Sequence, residues 1–162
     1  MKTMYLAGGC FWGMEQLFRF QEGVVNTETG YTGGTNDRPN FYNHQGHAEA
    51  IEITYDENKT SYKDLLDFFF RIHDPTTLNR QGNDEGSSYR SAIFYQTDNE
   101  LKIAKDVIKK IDALGFYKNP IITSLEKFNK FYVAEDYHQD YLQNNPNGYT
   151  CHFIRTDQHL IK

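Results

Sequence analysis

The sequence predicts an α+β fold, a two-layer sandwich whose core has the ferredoxin-like order βαββαβ. Two observations predict it: segments with strand alternation and segments with helical spacing follow one another in this order, and a third helical segment comes after them. We expect a mixed sheet with helices on one side. With 162 residues, 38% of them hydrophobic, the chain is expected to form one domain, 1–162. Its core would span about 1–143, and an irregular, mobile tail about 144–162.

Three strands are predicted in the first half of the chain, at residues 4–7, 24–31 and 47–55. Between the first two, the spacing of Phe11, Met14 and Phe18 predicts a helix, which Gly23 ends. A glycine-rich turn at 32–34 and a polar loop with Pro39 precede the third strand.

Two capping boxes mark helices in the second half. Ser61 has Asp64 three residues later, and Thr97 has Glu100. The second of these helices would stop at Gly115. A strand is predicted between them at 90–95, a weaker one at 121–125, and a short helix at 134–143.

The composition excludes several classes of partner. The net charge is −5, with both signs scattered along the chain, so no basic patch is expected to bind nucleic acid. The N-terminal segment lacks the apolar run of a signal peptide, and no stretch approaches transmembrane length. We therefore expect a cytoplasmic protein with no membrane partner.

The two cysteines, Cys10 and Cys151, lie near opposite ends of the chain. In a reducing compartment they are free thiols or form a transient disulfide, although two inert buried thiols would give the same count. Neither a CxxC pair nor a metal-type spacing of the six histidines occurs, so no metal and no cofactor is expected. The histidines are interpreted as structural or exposed.

Cys10 stands where a strand ends, two glycines turn the chain and a helix begins. Free N–H groups at a helix N-terminus favour negative charge, so a cysteine here is expected to ionise readily and act as a nucleophile. Phe11 and Trp12 follow and offer an apolar surface beside the sulfur. A buried cysteine that merely closes the turn is the structural alternative.

Glu49 is the second candidate. Strand alternation puts it on the same face as Ile51 and Ile53, which are expected to be buried. A carboxyl group in apolar surroundings has a raised pKa and can donate a proton near neutral pH. A glutamate at the edge of the sheet that reaches solvent explains the pattern equally well. The long polar loop at 80–86 could also present Asp84 and Tyr89 to a site.

Several motifs resemble the peptide methionine sulfoxide reductase A family. Those motifs are Gly-Cys-Phe-Trp-Gly at 9–13, Gly-Tyr-Thr-Gly-Gly at 30–34, Gly-His-Ala-Glu at 46–49, Arg-Gln-Gly-Asn-Asp at 80–84, Tyr-Arg-Ser at 89–91, Ala-Glu-Asp-Tyr-His-Gln at 134–139 and Asn-Pro-Asn-Gly-Tyr at 145–149. They occur in order over nearly the whole chain. The resemblance implies reduction of methionine S-sulfoxide, free or in proteins, and a role in the repair of oxidative damage.

The resemblance also implies roles for individual residues. The Cys10 thiolate would attack the sulfoxide sulfur and become a sulfenic acid, while Glu49 protonates the oxygen. Tyr89 would bond that oxygen, with Asp84 in the surrounding polar network. Phe11 and Trp12 would hold the substrate methyl group.

Two departures from the family pattern affect these roles. Phe41 stands where the family usually has a tyrosine, so we expect Tyr42 to supply the substrate-binding hydroxyl instead. The family often has a cysteine directly after the Gly-Tyr of the tail, whereas here Thr150 comes before Cys151. Cys151 is nevertheless expected to resolve the sulfenic acid by forming a disulfide, which thioredoxin then reduces.

Two other kinds of function remain open from the sequence. Another cysteine enzyme, such as a peroxidase or a hydrolase, could use His47 or His138 as its base. An interaction module would use the aromatic residues to bind a partner and would leave Cys10 inert.

Overall fold

The computed structural model describes residues 1–155 and has a mixed α+β fold. Its strands are β1 Lys2–Gly8, β2 Val24–Thr32, β3 Ala48–Tyr55, β4 Arg80–Gln81, β5 Asp84–Glu85, β6 Ser91–Tyr95, β7 Ser124–Lys127 and β8 Phe131–Val133. Its α-helices are α1 Phe11–Arg19, α2 Tyr62–Ile72, α3 Asp98–Ala113 and α4 Tyr141–Asn144. The strands and helices predicted up to residue 115 are all present, with ends that differ by a few residues.

Six strands form one sheet in the order β7-β6-β1-β3-β2-β8. The pairs from β6 to β8 are antiparallel, and only β6 and β7 run parallel. The strand expected at 121–125 is formed slightly later, as β7. Strand β1 is an inner strand of the sheet. The turn that follows it therefore lies near the middle of one end of the sheet, away from its outer strands.

The two faces of the sheet are covered differently. Met4, Leu6, Ile51 and Ile53 point to one face and pack in a single buried cluster with residues of α1, α2 and α3. The other face is lined by small residues such as Ala48 and is covered by other aromatic side chains. Ile51 and Ala48 thus lie on opposite faces of the sheet, as the alternation in the sequence predicts.

In both predicted capping boxes, the side chain of the cap residue accepts the expected backbone N–H three residues later. The Ser61 side chain accepts the N–H of Asp64, and Thr97 accepts the N–H of Glu100. The Glu100 carboxylate reaches back to the N–H of Gln96, one residue before the cap. These contacts satisfy N–H groups that a helix N-terminus otherwise leaves unpaired.

The segment predicted as one helix at 134–143 is instead two short pieces. A 3₁₀ turn spans Asp136–His138, and α4 begins at Tyr141. Between them Asp140 adopts a left-handed conformation with φ of 55°, which interrupts helical geometry. The long loop at 79–88 also contains structure that was not predicted, because β4 and β5 pair there as a short hairpin.

Between α4 and residue 155 the tail has no regular secondary structure, yet residues 150–155 lie on the core. The Arg155 guanidinium donates to the carbonyls of Phe70 and His73 at the C-terminal end of α2 and to the hydroxyl of Tyr117. The Arg155 N–H donates to the carbonyl of Arg71 at 3.0 Å. The remainder of the predicted tail, residues 156–162, lies outside the described residues.

Within residues 1–155, none of the helices has both the length and the apolar character that crossing a membrane requires.

Candidate active site

Cys10 is placed by the turn between β1 and α1. Gly9 has φ of 102°, and a Cβ there would lie 2.6 Å from the Gln81 side chain, so only glycine fits. Cys10 then occupies the N-cap position of α1, and its side chain makes no capping hydrogen bond. The thiol is 7% exposed. The predicted position of Cys10 at a strand-to-helix turn is therefore confirmed.

Burial opposes the ionisation of Cys10 that its position at a helix N-terminus predicts. Burial raises the pKa of the Cys10 thiol, and the neighbouring charges of Glu49 and Asp84 raise it further. The backbone N–H of Trp12 lowers it by less. Desolvation therefore outweighs the helix N-terminus, and the resting thiol is protonated.

Glu49 is buried against the first turn of α1. It is 1% exposed, and its carboxylate accepts the backbone N–H of Phe11 at 3.2 Å. Burial raises the pKa of Glu49 to about 8, against the lowering effect of the Phe11 N–H, with a further rise from the charges of Asp84 and Glu135. The alternative of a solvent-exposed edge residue is wrong. At neutral pH this carboxyl group therefore holds a proton. It lies against the backbone of Phe11, the residue that follows Cys10.

Tyr89 and Asp84 reach the site from the polar loop. Tyr89 ends a 3₁₀ turn at Ser87–Tyr89, and burial raises the pKa of its hydroxyl, as do the charges of Glu49 and Asp84. The hydroxyl is therefore protonated at neutral pH. Asp84, in β5, accepts a hydrogen bond from the Tyr149 hydroxyl at 3.1 Å, which ties this loop to the tail.

The Trp12 side chain is held by a hydrogen bond and a ring stack. Its indole N–H donates to Nδ1 of His138 at 2.9 Å, and its ring stacks on Tyr141 with centroids 3.8 Å apart and planes 9° apart. Phe11 is almost fully buried, with its ring 5.1 Å from that of His138 and 5.6 Å from that of Tyr31. Trp12 is only half-buried, so part of its side chain remains exposed.

Tyr42 is the one predicted site residue that the structure places elsewhere. Its side chain is 88% exposed and its ring packs edge-on against Phe41. Phe41 is the residue that turns inward, with its ring 4.9 Å from that of His138. The prediction that Tyr42 replaces the family hydroxyl is corrected accordingly, because consecutive residues of this loop point in different directions.

Cys151 lies beside the polar loop. Its sulfur is 3.9 Å from the carbonyl oxygen of Gln81, from Oδ2 of Asp84 and from Nδ1 of His152. Burial raises the pKa of the Cys151 thiol, and the Asp84 charge raises it further. Cys10 and Cys151 are both free thiols, and the charge of Cys151 contributes to the raised pKa of Cys10. The two cysteines, far apart in the sequence, are thus close enough to interact electrostatically.

Two histidines near these residues are buried, His138 at 1% and His152 at 7% exposure. From the sequence, His138 was considered only as the base of a rival enzyme, and His152 was not distinguished from the other histidines. The signal that could have identified them is their neighbours, an aromatic and acidic motif for His138 and Cys151 for His152.

The histidines available to a hydrolase are engaged elsewhere. His47 accepts the N–H of Gly34 through Nδ1 and bonds the carbonyl of Asn36 through Nε2, while Nδ1 of His138 accepts from Trp12. Neither arrangement is a base poised on Cys10, so the geometry disfavours that rival.

Comparison with known proteins decides the family. A family model described as peptide methionine sulfoxide reductase matches residues 2–161. The peptide methionine sulfoxide reductase MsrA of Nocardia farcinica is 57% identical over 157 residues, which cover 97% of this chain and 92% of the relative. MsrA of Mycobacterium sp. strain JLS is 57% identical over 161 residues, covering 99% and 94%. The chain belongs to the peptide methionine sulfoxide reductase family.

Solved structures agree with this assignment to the reductase family. Mxr1 from Saccharomyces cerevisiae in reduced form superposes with a TM-score of 0.86 at 40% identity, covering 95% of this chain and 92% of that one. Mxr1 from the same organism in complex with Trx2 has a TM-score of 0.64 at 31% identity, covering 95% and 89%. The protein is a methionine sulfoxide reductase, an oxidoreductase.

Proposed function

We propose that Cys10 is the nucleophile of this reductase and that Glu49 is its acid, acting on methionine S-sulfoxide, free or in proteins. The observation that carries the proposal is the buried Glu49 carboxyl group, with a pKa of about 8, bonded to the N–H of Phe11 beside Cys10. A proton donor with a pKa near the working pH is what general acid catalysis requires.

The proposed first step conserves protons within the site. Cys10 attacks the sulfoxide sulfur while Glu49 gives its proton to the sulfoxide oxygen, and Glu49 takes up the thiol proton that Cys10 releases. Oxygen transfer to Cys10 then yields a sulfenic acid and releases methionine. Cys10 is oxidised and the sulfoxide is reduced, so no cofactor is needed. Since the thiol starts protonated, this exchange avoids placing two negative charges in a buried site.

Tyr89, Asp84, Phe11 and Trp12 complete the proposed substrate site. The Tyr89 hydroxyl would donate to the sulfoxide oxygen, and Asp84 would hold the loop through Tyr149. The Trp12 face would take the methyl group, with Phe11 beneath it. A stacked indole that is also hydrogen-bonded loses little entropy when it receives a substrate.

For the second half of the cycle, we propose that Cys151 attacks the sulfenic acid and that thioredoxin reduces the resulting disulfide. The reductant is supported by the structure of the yeast relative Mxr1 in complex with Trx2. We retain the proposal that the segment from about 144 is mobile in solution, because thioredoxin must reach the disulfide once it has formed.

We also propose a finer description of the fold and a location. The strand order β6-β1-β3-β2, antiparallel throughout, supports classing the core as ferredoxin-like, with helices on one face. A cytoplasmic location fits the two free thiols and the use of thioredoxin.

The test of the proposed nucleophile is Cys10→Ser, assayed for methionine formation with dithiothreitol, which reduces cysteine intermediates without a protein partner. We expect the variant to be inactive and folded, because serine is a favourable N-cap residue. Cys151→Ser in the same assay is the matched control and should stay active. Activity of Cys10→Ser above a trace would refute the assignment.

A further inference from the structure

His152 is the most buried residue of the segment between α4 and the end of the described chain. It is 7% exposed, and its Nε2 lies 2.7 Å from the carbonyl oxygen of Gly8, at the end of β1. The next residue, Phe153, is 62% exposed. A single side chain therefore fastens this part of the tail to the turn that carries Cys10.

The turn is shaped to receive it. A Cβ on Gly13, within α1, would lie 2.3 Å from Nδ1 of His152 and 2.6 Å from the hydroxyl oxygen of Thr150. A glycine inside a helix is less stable than alanine by roughly 0.5–1 kcal/mol, so a close contact is a sufficient reason for one here. The Thr150 hydroxyl also accepts the backbone N–H of His152 at 3.1 Å. Gly13 thus leaves the space in which the tail lies.

The contact with Gly8 fixes the tautomer of the imidazole. A carbonyl oxygen only accepts, so Nε2 carries the proton and Nδ1 presents a lone pair. The Cys151 sulfur is 3.9 Å from this Nδ1, and its thiol is a weak donor to it. Burial lowers the pKa of His152, which keeps the ring neutral and preserves this arrangement at neutral pH.

We propose that His152 is a positioning residue that holds Cys151 at the Cys10 turn for the disulfide-forming step. The inference rests on the proposed roles of Cys10 and Cys151. In that step the Cys151 sulfur bonds to the Cys10 sulfur and the S–O bond of the sulfenic acid breaks. The oxygen leaves as water with the thiol proton, so a thiol and a sulfenic acid give a disulfide and water without another reactant.

The proposal separates the two half-reactions. His152→Ala should release one methionine per enzyme at the parent rate when no reductant is present, because His152 touches none of the proposed sulfoxide contacts. Its disulfide should form about 10- to 100-fold more slowly, as expected when a reacting group loses its alignment. Sulfenic acid trapped with dimedone and mapped disulfide peptides, sampled over time, measure the second step.

Two further variants test the anchor itself. Glutamine can place its amide N–H₂ where Nε2 of histidine stands, so His152→Gln should recover most of the rate of disulfide formation. Gly13→Ala fills the space beside His152 and should slow the same step, with no added effect in a His152→Ala background. Phe153→Ala, in the same segment but exposed, is the control and should behave as the parent.

Each outcome bears on a defined claim. If no protein, including the parent, releases methionine in the single turnover, the proposed function fails. If all release methionine and His152→Ala forms the disulfide at the parent rate, the anchor is refuted. Failure of His152→Gln to recover while His152→Ala is slow also refutes it, because the bond to Gly8 would then not be what matters.

Discussion

Burial raises the pKa of both Cys10 and Glu49, and the consequences for catalysis are opposite. At Glu49 it keeps a proton available near neutral pH. At Cys10 it disfavours the thiolate, and a thiol reacts more slowly than a thiolate.

The first prediction concerns Glu49→Gln. Glutamine retains the shape and a hydrogen bond but cannot donate a proton, so methionine release in a single turnover should slow by about 10²–10⁴-fold. The parent rate should also fall as the pH rises through about 8, where Glu49 loses its proton, and this decline should be absent from the variant. Stopped-flow single turnovers between about pH 6.5 and 9.5 measure both effects. A rate within about twofold of the parent would make Glu49 structural.

A second prediction compares Trp12 with Tyr42. Trp12→Phe loses the hydrogen bond to His138 and part of the stack on Tyr141, so the ring is held less firmly for a substrate and kcat/KM should drop roughly tenfold, mainly through KM. Tyr42→Phe removes a hydroxyl that is exposed and should leave kcat/KM unchanged. Steady-state kinetics with a sulfoxide-containing peptide separate the two. A larger loss of kcat/KM for Tyr42→Phe than for Trp12→Phe would show that the Tyr42 hydroxyl contributes to substrate binding.

Single residues were predictable where the pattern carried both position and chemistry. Cys10 follows two glycines at a strand end, and Glu49 shares a strand face with Ile51, so both could be located. Tyr42 and His152 could not, because their orientation depends on which way an irregular backbone turns, and no periodicity encodes that.

At the level of elements, α1 is joined to α4 through a buried carboxylate. Glu15 is 1% exposed and accepts the Thr27 hydroxyl at 2.9 Å and the backbone N–H of Asp140 at 2.8 Å. Arg19 lies 3.6 Å from Glu15 and 2.7 Å from the Asp140 carboxylate. This cluster holds the left-handed residue from which α4 starts, and Tyr141 of α4 supports Trp12.

We therefore expect Glu15→Ala to destabilise the protein by about 1–3 kcal/mol, because it leaves the N–H of Asp140 buried without its partner. The lone tryptophan, Trp12, should report the loosened α4 as a change in fluorescence before global unfolding. Urea titrations followed by fluorescence and by circular dichroism measure both. Glu22→Ala, at an exposed glutamate just beyond α1, is the control. Equal urea midpoints for Glu15→Ala and Glu22→Ala would show that Glu15 does not stabilise the junction of α1 and α4.

Helices with capping boxes or a clear apolar stripe could be predicted from the sequence, as α1, α2 and α3 show. The hairpin of β4 and β5 and the edge strand β8 could not, since each has two or three residues and its pairing depends on distant segments. Asp140 broke the expected helix because its left-handed conformation is stabilised by tertiary contacts with Glu15 and Arg19.

For the whole molecule, the mixed α+β class followed from the order of elements. The proximity of Cys151 to Cys10 was expected only from the family resemblance, because the tail has no repeating pattern. Its placement depends on two anchors, His152 on β1 and Arg155 on the end of α2. The His152 ring bonds one carbonyl and the Arg155 guanidinium several groups, and no sequence pattern distinguishes either residue from other polar residues.

The last prediction is Cys151→Ser. The variant should release one methionine per enzyme and accumulate a sulfenic acid that reacts with dimedone, since that species has lost its partner thiol. Turnover with thioredoxin should be slow, while turnover with dithiothreitol should persist. Peptide mapping of the oxidised parent should show a Cys10–Cys151 disulfide. Absence of that cross-link, together with normal cycling of the variant with thioredoxin, would make Cys151 a bystander.

The central position of β1 sets the order in which a newly made chain can assemble. β1 is synthesised before both of its neighbours in the sheet, β3, which ends at Tyr55, and β6, which ends at Tyr95. Pairings this distant in sequence form late. On the ribosome, the segment carrying Cys10 would therefore stay unpaired until the strand that ends at Tyr95 has emerged. A methionine sulfoxide reductase would thus expose its own thiol to oxidants during synthesis, before the sheet closes around it.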